Sequence, residues 1–496
     1  MMKATLRSAV LLGLVTLGLF AASVPSFAEV QNVKVGGDVT VRAFHRTNLD
    51  LRHDNPIGDT NAAPALDGDN FLMSTVGINI GADLTENVGA FVRLANERDW
   101  NVDGTATGDI DLSQAYITLK ELFYSPLTVR IGQQPIKWGR GFVLGSNLLP
   151  SVILAPGDRN AAITANEFTD FTAFDAIRAT LDLSGVAGLG MPLTADFVYI
   201  KQNENKTGRP DDVNVMGFNI GTHLDAMSSE LETYYLNLRD KNVALCTATI
   251  TTGALAGAGA SPVGNCKNGS LNTIGLRGSS KPVEGANVYT ELAYQFGKRV
   301  TDLEGVLASG DSQQAWAFNL GGDYTLASVA TKPTLGLEWR YYSGKDVDGA
   351  VTGWRAIAPD YFTTALREFQ TRSTISSASF YPNDQIGVTS GQTNQHEFAA
   401  YGSLKPIEDL TVNERLSWFW TPVGTIQPTT GSNGTRNNYL GAEWDTMAVY
   451  NYTDDVQLGL IYAIFFPGNV FRNRASGVTS GSNAAQELIT SVSVKF

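Results

Sequence analysis

Hydrophobic and polar residues alternate along most of the chain, and this period of two is the pattern of β-strands with one apolar face. The last strand is the clearest case, because Leu488, Val492 and Phe496 share one face while Glu487 and Lys495 share the other. Taken alone, this segment could also be the closing strand of a soluble sandwich. The alternation along the rest of the chain predicts an all-β protein with many strands.

About eighteen strands can be counted from this alternation. They are predicted at 33–47, 69–84, 88–97, 109–120, 127–138, 172–184, 191–201, 213–224, 229–239, 271–281, 286–298, 312–326, 332–345, 394–405, 410–420, 438–452, 456–466 and 485–496. Short turns join some neighbours, whereas long polar loops are predicted near 139–171, 240–270 and 346–393. Short turns at one end and long loops at the other are typical of bacterial outer-membrane barrels. The predicted fold class is a transmembrane antiparallel β-barrel of about eighteen strands.

The first 28 residues predict a signal peptide that is cleaved after export. Lys3 and Arg7 precede an apolar run, and Ser26, Phe27 and Ala28 form a small-x-small cleavage site. An N-terminal membrane anchor is the alternative, but the apolar run is short for a spanning helix. We therefore expect a mature chain of residues 29–496 that forms one barrel domain in the cell outer membrane.

The final residue has a role of its own in this interpretation. Phe496 is an aromatic last residue behind alternating apolar ones, and it resembles the terminal assembly signal of outer-membrane proteins. The last strand of a barrel must pair with the first to remove the sheet edge. Outer-membrane lipid and the barrel-assembly machinery are therefore expected partners.

Charge and cysteine content narrow the function further. The formal charge is −13, from 36 basic and 49 acidic residues, and an acidic chain argues against nucleic acid as a partner. Cys246 and Cys266 are the two cysteines, and in an oxidising compartment they are predicted to form one disulfide inside the loop 240–270.

No residue pattern points to catalysis or to a bound cofactor. The four histidines are scattered along the chain, and neither cysteine has further metal ligands near it in the sequence. We expect no enzymatic activity, no cofactor and no metal site.

Several segments resemble one known family. The stretch 111–141 contains DLSQAYITLK and then LTVRIGQQPIKWGRG, and FDAIR, YLGAEWD and FFPG follow at 174–178, 439–445 and 465–468. This succession resembles the alginate-export family of bacterial outer-membrane porins. The resemblance covers most of the mature chain, and it implies an eighteen-stranded barrel that acts as a porin or exporter-like channel. At 132–134, where the family usually has Gly-Arg-Gln, this chain has Gly-Gln-Gln, which argues against alginate itself as the solute.

Solute selectivity would depend on the inward face, because a barrel of this size is too wide for its own side chains to fill. The pore-lining candidates are the polar residues opposite the apolar faces: Arg93, Arg130, Gln134, Arg178, Arg277, Glu291, Glu338, Arg340, Glu443 and Asp445. The alternative for each of them is a wall residue paired with its neighbours. Arginine binds carboxylates with a planar fork, so Arg93, Arg130, Arg178 and Arg340 are the first candidates for an acidic or hydroxylated solute.

Two features of the wall and loops leave alternatives open. The inward aromatics Tyr116, Tyr289 and Tyr342 could stack on sugar rings or pack against an inward loop. Loop 139–171 could narrow the pore near Arg93, Arg130 and Arg178, which would favour anions, or it could form an external cap.

The predicted function is an outer-membrane channel for polar solutes, including anionic or carbohydrate ones. The alternative is a structural or adhesive barrel with a plugged lumen and ligand-binding external loops. The sequence leaves open the substrate, the direction of transport, the ion selectivity and the oligomeric state.

Overall fold

The protein is a closed β-barrel. The computed structural model describes residues 32–49, 51, 68–100, 110–147, 164–185, 191–203, 212–241, 269–298, 312–344, 353–370, 393–426, 436–472 and 483–496. Eighteen antiparallel strands form one sheet, and β1 pairs with both β2 and β18, so no edge remains. The predicted fold class is confirmed.

The strands correspond one to one with those predicted from the alternation. They are β1 Asn32–Thr47, β2 Gly68–Asp83, β3 Val88–Asp99, β4 Asp111–Lys120, β5 Leu127–Gln134, β6 Phe174–Asp182, β7 Leu193–Asn203, β8 Val213–Leu224, β9 Ser229–Asp240, β10 Gly269–Ser280, β11 Ala286–Lys298, β12 Ser312–Thr325, β13 Thr334–Tyr342, β14 Gln395–Ile407, β15 Leu410–Ile426, β16 Arg436–Asn451, β17 Val456–Pro467 and β18 Ala485–Lys495. Strand β5 ends before the predicted residue 138, because Pro135 cannot donate to the sheet.

Short helical turns occur at Asn166–Phe168, Ala226–Ser228, Ala365–Gln370 and Asn469–Arg472. Among the described residues, no helix is both long enough and apolar enough to cross a membrane.

The terminal residue helps to close the barrel. The backbone of Phe496 exchanges two hydrogen bonds with that of Gly37 on β1, at N···O distances of 2.8 and 3.0 Å. Its ring lies over Gly37, where a Cβ atom would come within 2.7 Å of the ring. The first and last strands are therefore joined at the end of the barrel that carries the short turns.

The outer face is apolar, as the alternation predicts. Large side chains such as Phe197, Trp316 and Leu337 point outward and are about half exposed or more, which suits contact with lipid tails.

The inner face of the barrel is not uniformly polar. Towards the end with the long loops, it carries buried apolar residues, including Val198, Ile200, Leu236 and Leu271. These residues belong to one apolar cluster with side chains from the loops, so this part of the lumen is packed with protein rather than lined for water.

Two segments enter the lumen and fill this region. Loop A, residues 136–147, follows β5, and its Phe142 ring stacks on Tyr342 of β13 with 5.3 Å between ring centres. Loop B, residues 353–370, follows β13 and meets loop A through a parallel β-bridge between Leu144 and Ala358. Because β5 and β13 lie on opposite sides of the barrel, the two loops together extend across its interior.

Candidate functional site

The tip of loop A is attached to the opposite wall by its backbone. Gly139 N–H donates to Glu232 Oε1 at 2.9 Å, and Arg140 N–H donates to the Glu291 carboxylate. Gly139 has φ of +56°, and a Cβ atom there would come within 2.9 Å of Glu291 and 3.0 Å of Arg277. Only glycine fits both this conformation and this space.

The side chain of Arg140 lies between two tyrosines. Its guanidinium carbon is 3.7 Å from the ring centre of Tyr289 and 4.9 Å from that of Tyr361. Such a cation is stabilised by the electron-rich ring faces. Burial, together with the nearby Glu338 carboxylate, raises the pKa of the Tyr361 phenol well above its usual range. The phenol therefore stays protonated and donates to Glu338 Oε1 at 2.6 Å.

Two predicted pore-lining acids hold loop B instead of facing an open channel. Glu443 accepts hydrogen bonds from the backbone N–H groups of Leu366 and Arg367 at 2.6 and 2.8 Å. Asp445 accepts one from Ala365 N–H at 3.0 Å. These N–H groups begin the short helical turn Ala365–Gln370, where backbone donors have no partners within the helix.

Arg340 is fully buried and also holds loop B. Its guanidinium binds Glu368 of the loop at 2.7 Å and Glu397 of β14. Glu338, which shares its strand face, is farther away at 3.9 Å from Arg340 Nε. Glu338 pairs more closely with Arg415 of β15, at 2.7 Å.

The segment 164–173 returns along the opposite wall and is held by arginines. Arg93 bridges Asp170 of this segment at 2.8 Å and Asp38 of β1 at 2.7 Å. Arg46 pairs in the same way with Glu167 of the segment and with Glu487 of β18. The described part of loop 139–171 therefore lies inside the barrel, and Arg93 contacts its returning portion.

The remaining predicted residues bind within the wall. Arg178 pairs with Asp196 at 2.5 Å, and Arg277 pairs with Glu230 at 2.9 Å. The guanidinium carbon of Arg130 is 4.5 Å from the ring centre of Tyr116, and the described residues give it no acidic partner. The buried amide of Gln134 donates to the carbonyls of Arg130, Gly132 and Ala176 where β5 ends, which is a structural position.

The three inward tyrosines predicted from the sequence differ in what they contact. Tyr289 and Tyr342 are buried against loop A, so they pack an inward loop. Tyr116 stays partly exposed on the wall. Neither Cys246 nor Cys266 lies in the described residues, and the same holds for residues 1–28.

Two residues that the sequence analysis did not select are central to the site. Arg140 sits in a loop without periodicity, so alternation could not place it. Arg415 could have been found, because it alternates with outward-facing Leu416, which is 38% exposed.

A cavity of about 300 Å³ lies beneath loop B on the inner face. It is lined by Asp323, Thr334, Thr363, Tyr401, Gly402, Ser403, Asn413, Glu414, Arg415, Asp445 and Met447. Glu414 turns its carboxylate to the outer face, where it accepts hydrogen bonds from outward-facing Trp444 and from Thr446 at 2.7 and 2.8 Å. Hydroxyls, an amide, two carboxylates and one guanidinium therefore face a common space.

Comparison with solved structures returns outer-membrane porins. OccAB4 of Acinetobacter baumannii is 11% identical, with 95% of this chain and 100% of that chain covered and a TM-score of 0.49. OccK2 of Pseudomonas aeruginosa, solved in complex with glucuronate, is 11% identical, with 94% and 98% covered and a TM-score of 0.48. An anion-selective porin from Comamonas acidovorans is 10% identical, with 94% and 99% covered and a TM-score of 0.42. At these identities the similarity is one of fold alone.

Among curated proteins, none matches the chain. The family model described as "Alginate export" matches residues 41–485, which is most of the sequence. This chain belongs to the alginate export family.

Proposed function

We propose that this barrel is an outer-membrane channel, and not an enzyme, that passes polar solutes, including anionic or carbohydrate ones. The single observation that carries the proposal is a closed barrel of eighteen strands whose inner wall carries charged side chains of both signs. Arg93 pairs with Asp38 on one side of the barrel, and Arg415 pairs with Glu338 on the other.

Charged side chains of both signs along a wall orient and select polar solutes in a pore. Arg130 supports the passage of anionic solutes, because its guanidinium lies on the Tyr116 ring and has no acidic partner among the described residues. Loops A and B narrow the interior, so the proposed solutes are small.

The test is a single-channel recording in a planar bilayer with a salt gradient across it. A steady open state with a reproducible reversal potential is expected. The absence of any steady open state would contradict the channel.

A barrel without a steady open state would favour the other candidate function, a plugged barrel whose external loops bind a ligand. The specific observation in its favour is the apolar packing of loop A, in which Trp138, Phe142 and Leu144 are almost fully buried against the wall. A plug that stays in place gives a barrel that assembles normally but does not conduct.

We also propose that residues 1–28 are removed during export and that the assembly machinery recognises the last strand. The hydrogen bonds between Phe496 and Gly37 support a role for the terminal residue in closure.

A further inference from the structure

Three inward tyrosines lie flat on the wall, each over a glycine of the neighbouring strand. The register pairs Tyr234 with Gly275, Tyr289 with Gly321, and Tyr401 with Gly336. In each pair, a Cβ atom on the glycine would overlap the phenol ring. The glycines thus allow the rings to lie along the wall with one face towards the lumen.

Two of these ring faces are covered by loop A. Trp138 packs on Tyr234 with 6.3 Å between ring centres, and the Arg140 guanidinium carbon is 3.7 Å from the ring centre of Tyr289. Accordingly, Tyr234 and Tyr289 are 2% and 5% exposed. The third ring, Tyr401, is only partly buried and lines the cavity beneath loop B, with the guanidinium carbon of Arg415 at 5.7 Å from its ring centre.

The polar groups around Tyr401 both donate and accept. Thr334, Thr363 and Ser403 bring hydroxyls to the cavity, and Asn413 brings an amide. The Tyr401 hydroxyl donates to Asp323 Oδ2 at 3.1 Å. Vicinal hydroxyls of a sugar, each a donor and an acceptor, match such a mixture, while the apolar face of a sugar ring matches an aromatic face.

A buried carboxyl of this cavity can accept a further hydrogen bond. Asp445 is 2% exposed and lines the cavity, and its Oδ1 accepts from Ala365 N–H. Glu443, the acid beside it, shares a side-chain hydrogen bond with this carboxyl, and Oδ2 has no N–H or hydroxyl donor among the described residues. A carboxylate has about four lone-pair sites, so a hydroxyl donated by a ligand would add to the bonds already made.

The charge of the cavity argues against an anion. Arg415, the base that lines it, already binds Glu338 and Glu397 through the same nitrogen, each at 2.7 Å. Asp323 and Asp445 add negative charge to the lining. A carboxylated sugar would therefore bring a third acidic group to a lining without an unpaired base.

We propose that this cavity is a binding subsite for one uncharged sugar ring, which stacks on Tyr401 and donates a hydroxyl to Asp445. The volume of about 300 Å³ is at the lower end of the range for ligand pockets and suits one small ligand. The inference deepens the proposed function and rests on it, because the subsite would lie beside the path of a polar solute.

The experiment measures binding by calorimetry on the full barrel in detergent, with glucose, glucuronate and glucosamine as probes. Glucose is expected to bind in a saturable way, and glucuronate at least about ten-fold more weakly, which corresponds to about 1.4 kcal/mol. Tighter binding of glucuronate, or binding of glucosamine alone, would overturn the proposal.

Variants locate the subsite. Tyr401→Leu is expected to weaken glucose binding about ten-fold, whereas Tyr401→Phe keeps the ring face and most of the affinity. Asp445→Asn is expected to weaken glucose binding and to reduce the difference in affinity between glucose and glucuronate. Tyr235→Leu, which changes an outward-facing tyrosine of β9, serves as the matched control and should leave binding unchanged. Equal affinity in wild-type protein and Tyr401→Leu would refute the site.

Bilayer conductance of the same preparation separates the two proposals. Conduction without sugar binding removes the subsite and leaves the channel. Sugar binding without conduction leaves the subsite and removes the channel.

Discussion

Arg130 on β5 and Arg178 on β6 are paired directly in register, so two cationic side chains lie side by side on the inner wall. Like charges at such positions repel each other. Arg178 is balanced by Asp196, whose two carboxylate oxygens accept from Nε and Nη2 at 3.1 and 2.5 Å. Arg130 rests on Tyr116 instead, which leaves its positive charge to act on the lumen.

Arg130→Gln is therefore expected to shift the reversal potential towards cations without loss of folded barrel, because no carboxylate of the described residues loses its partner. Arg130→Lys should keep the wild-type value, since it keeps the charge. Replacing Arg93, Arg130 and Arg178 together should shift the potential further. An unchanged reversal potential in the triple variant would show that these arginines do not lie at the narrow zone.

Arg340→Met is expected to release loop B, because the buried carboxylates Glu368 and Glu397 lose their shared partner. Breaking a buried ion pair from one side costs roughly 3–5 kcal/mol. Denaturant unfolding should report the loss, and bilayer recordings should show larger or noisier open currents. Lys201→Gln is the matched control, because its pair with Asp212 at 2.7 Å lies outside loop B, is partly exposed and is worth about 1 kcal/mol or less. Equal stability of the two variants would show that Arg340 does not hold loop B in place.

Gly139→Ala is expected to displace the tip of loop A, because the new Cβ would meet Glu291 and Arg277 in a left-handed backbone conformation. The strain of that conformation alone costs roughly 1–2 kcal/mol. Single-channel conductance is expected to change. Gly81→Ala, at a site with no atom within 4 Å of the added Cβ, should behave as wild type.

Deletion of Phe496 is expected to reduce the yield of folded barrel, because the closing strand loses two backbone hydrogen bonds to Gly37 and the ring that covers it. The heat-modifiable shift on gel electrophoresis measures the folded fraction. Phe496→Tyr keeps the ring and the backbone bonds and should assemble. Normal assembly of the deletion variant would show that closure does not need this residue.

Cys246 and Cys266 are expected to be disulfide-bonded, with a stabilisation of about 3 kcal/mol from a closed loop of this length. Alkylation of the folded, unreduced protein followed by mass spectrometry checks this. Two modified cysteines would disprove the bond.

The strands were predictable because the environment imposes the alternation. Lipid requires apolar residues on one face, so outward side chains such as Leu337 and Trp444 mark each strand, and the residues between them face inward. The same rule found inward-facing Glu443 and Asp445 but could not reveal that both bind the backbone of loop B. That contact joins segments far apart in the sequence, and neither segment carries a local sign of it.

The alternation of inward and outward residues was misleading in two places. Gln134 falls at an inward position of the alternation, but Pro135 ends the strand there and the amide binds backbone carbonyls. Val198 and Ile200 are inward but apolar, because loop A covers them. A loop that enters a lumen changes which residues suit the wall, and a period of two carries no information about where a loop goes.

The β-bridge between Leu144 and Ala358 has a thermodynamic consequence. It makes loops A and B one mechanical unit, although one is attached at Glu291 and the other at Glu443. Loosening either attachment should weaken the other. The losses in the free energy of unfolding are therefore expected to be non-additive in a double-mutant cycle. Opening would then proceed in one concerted step, with two discrete conductance levels in place of a graded series.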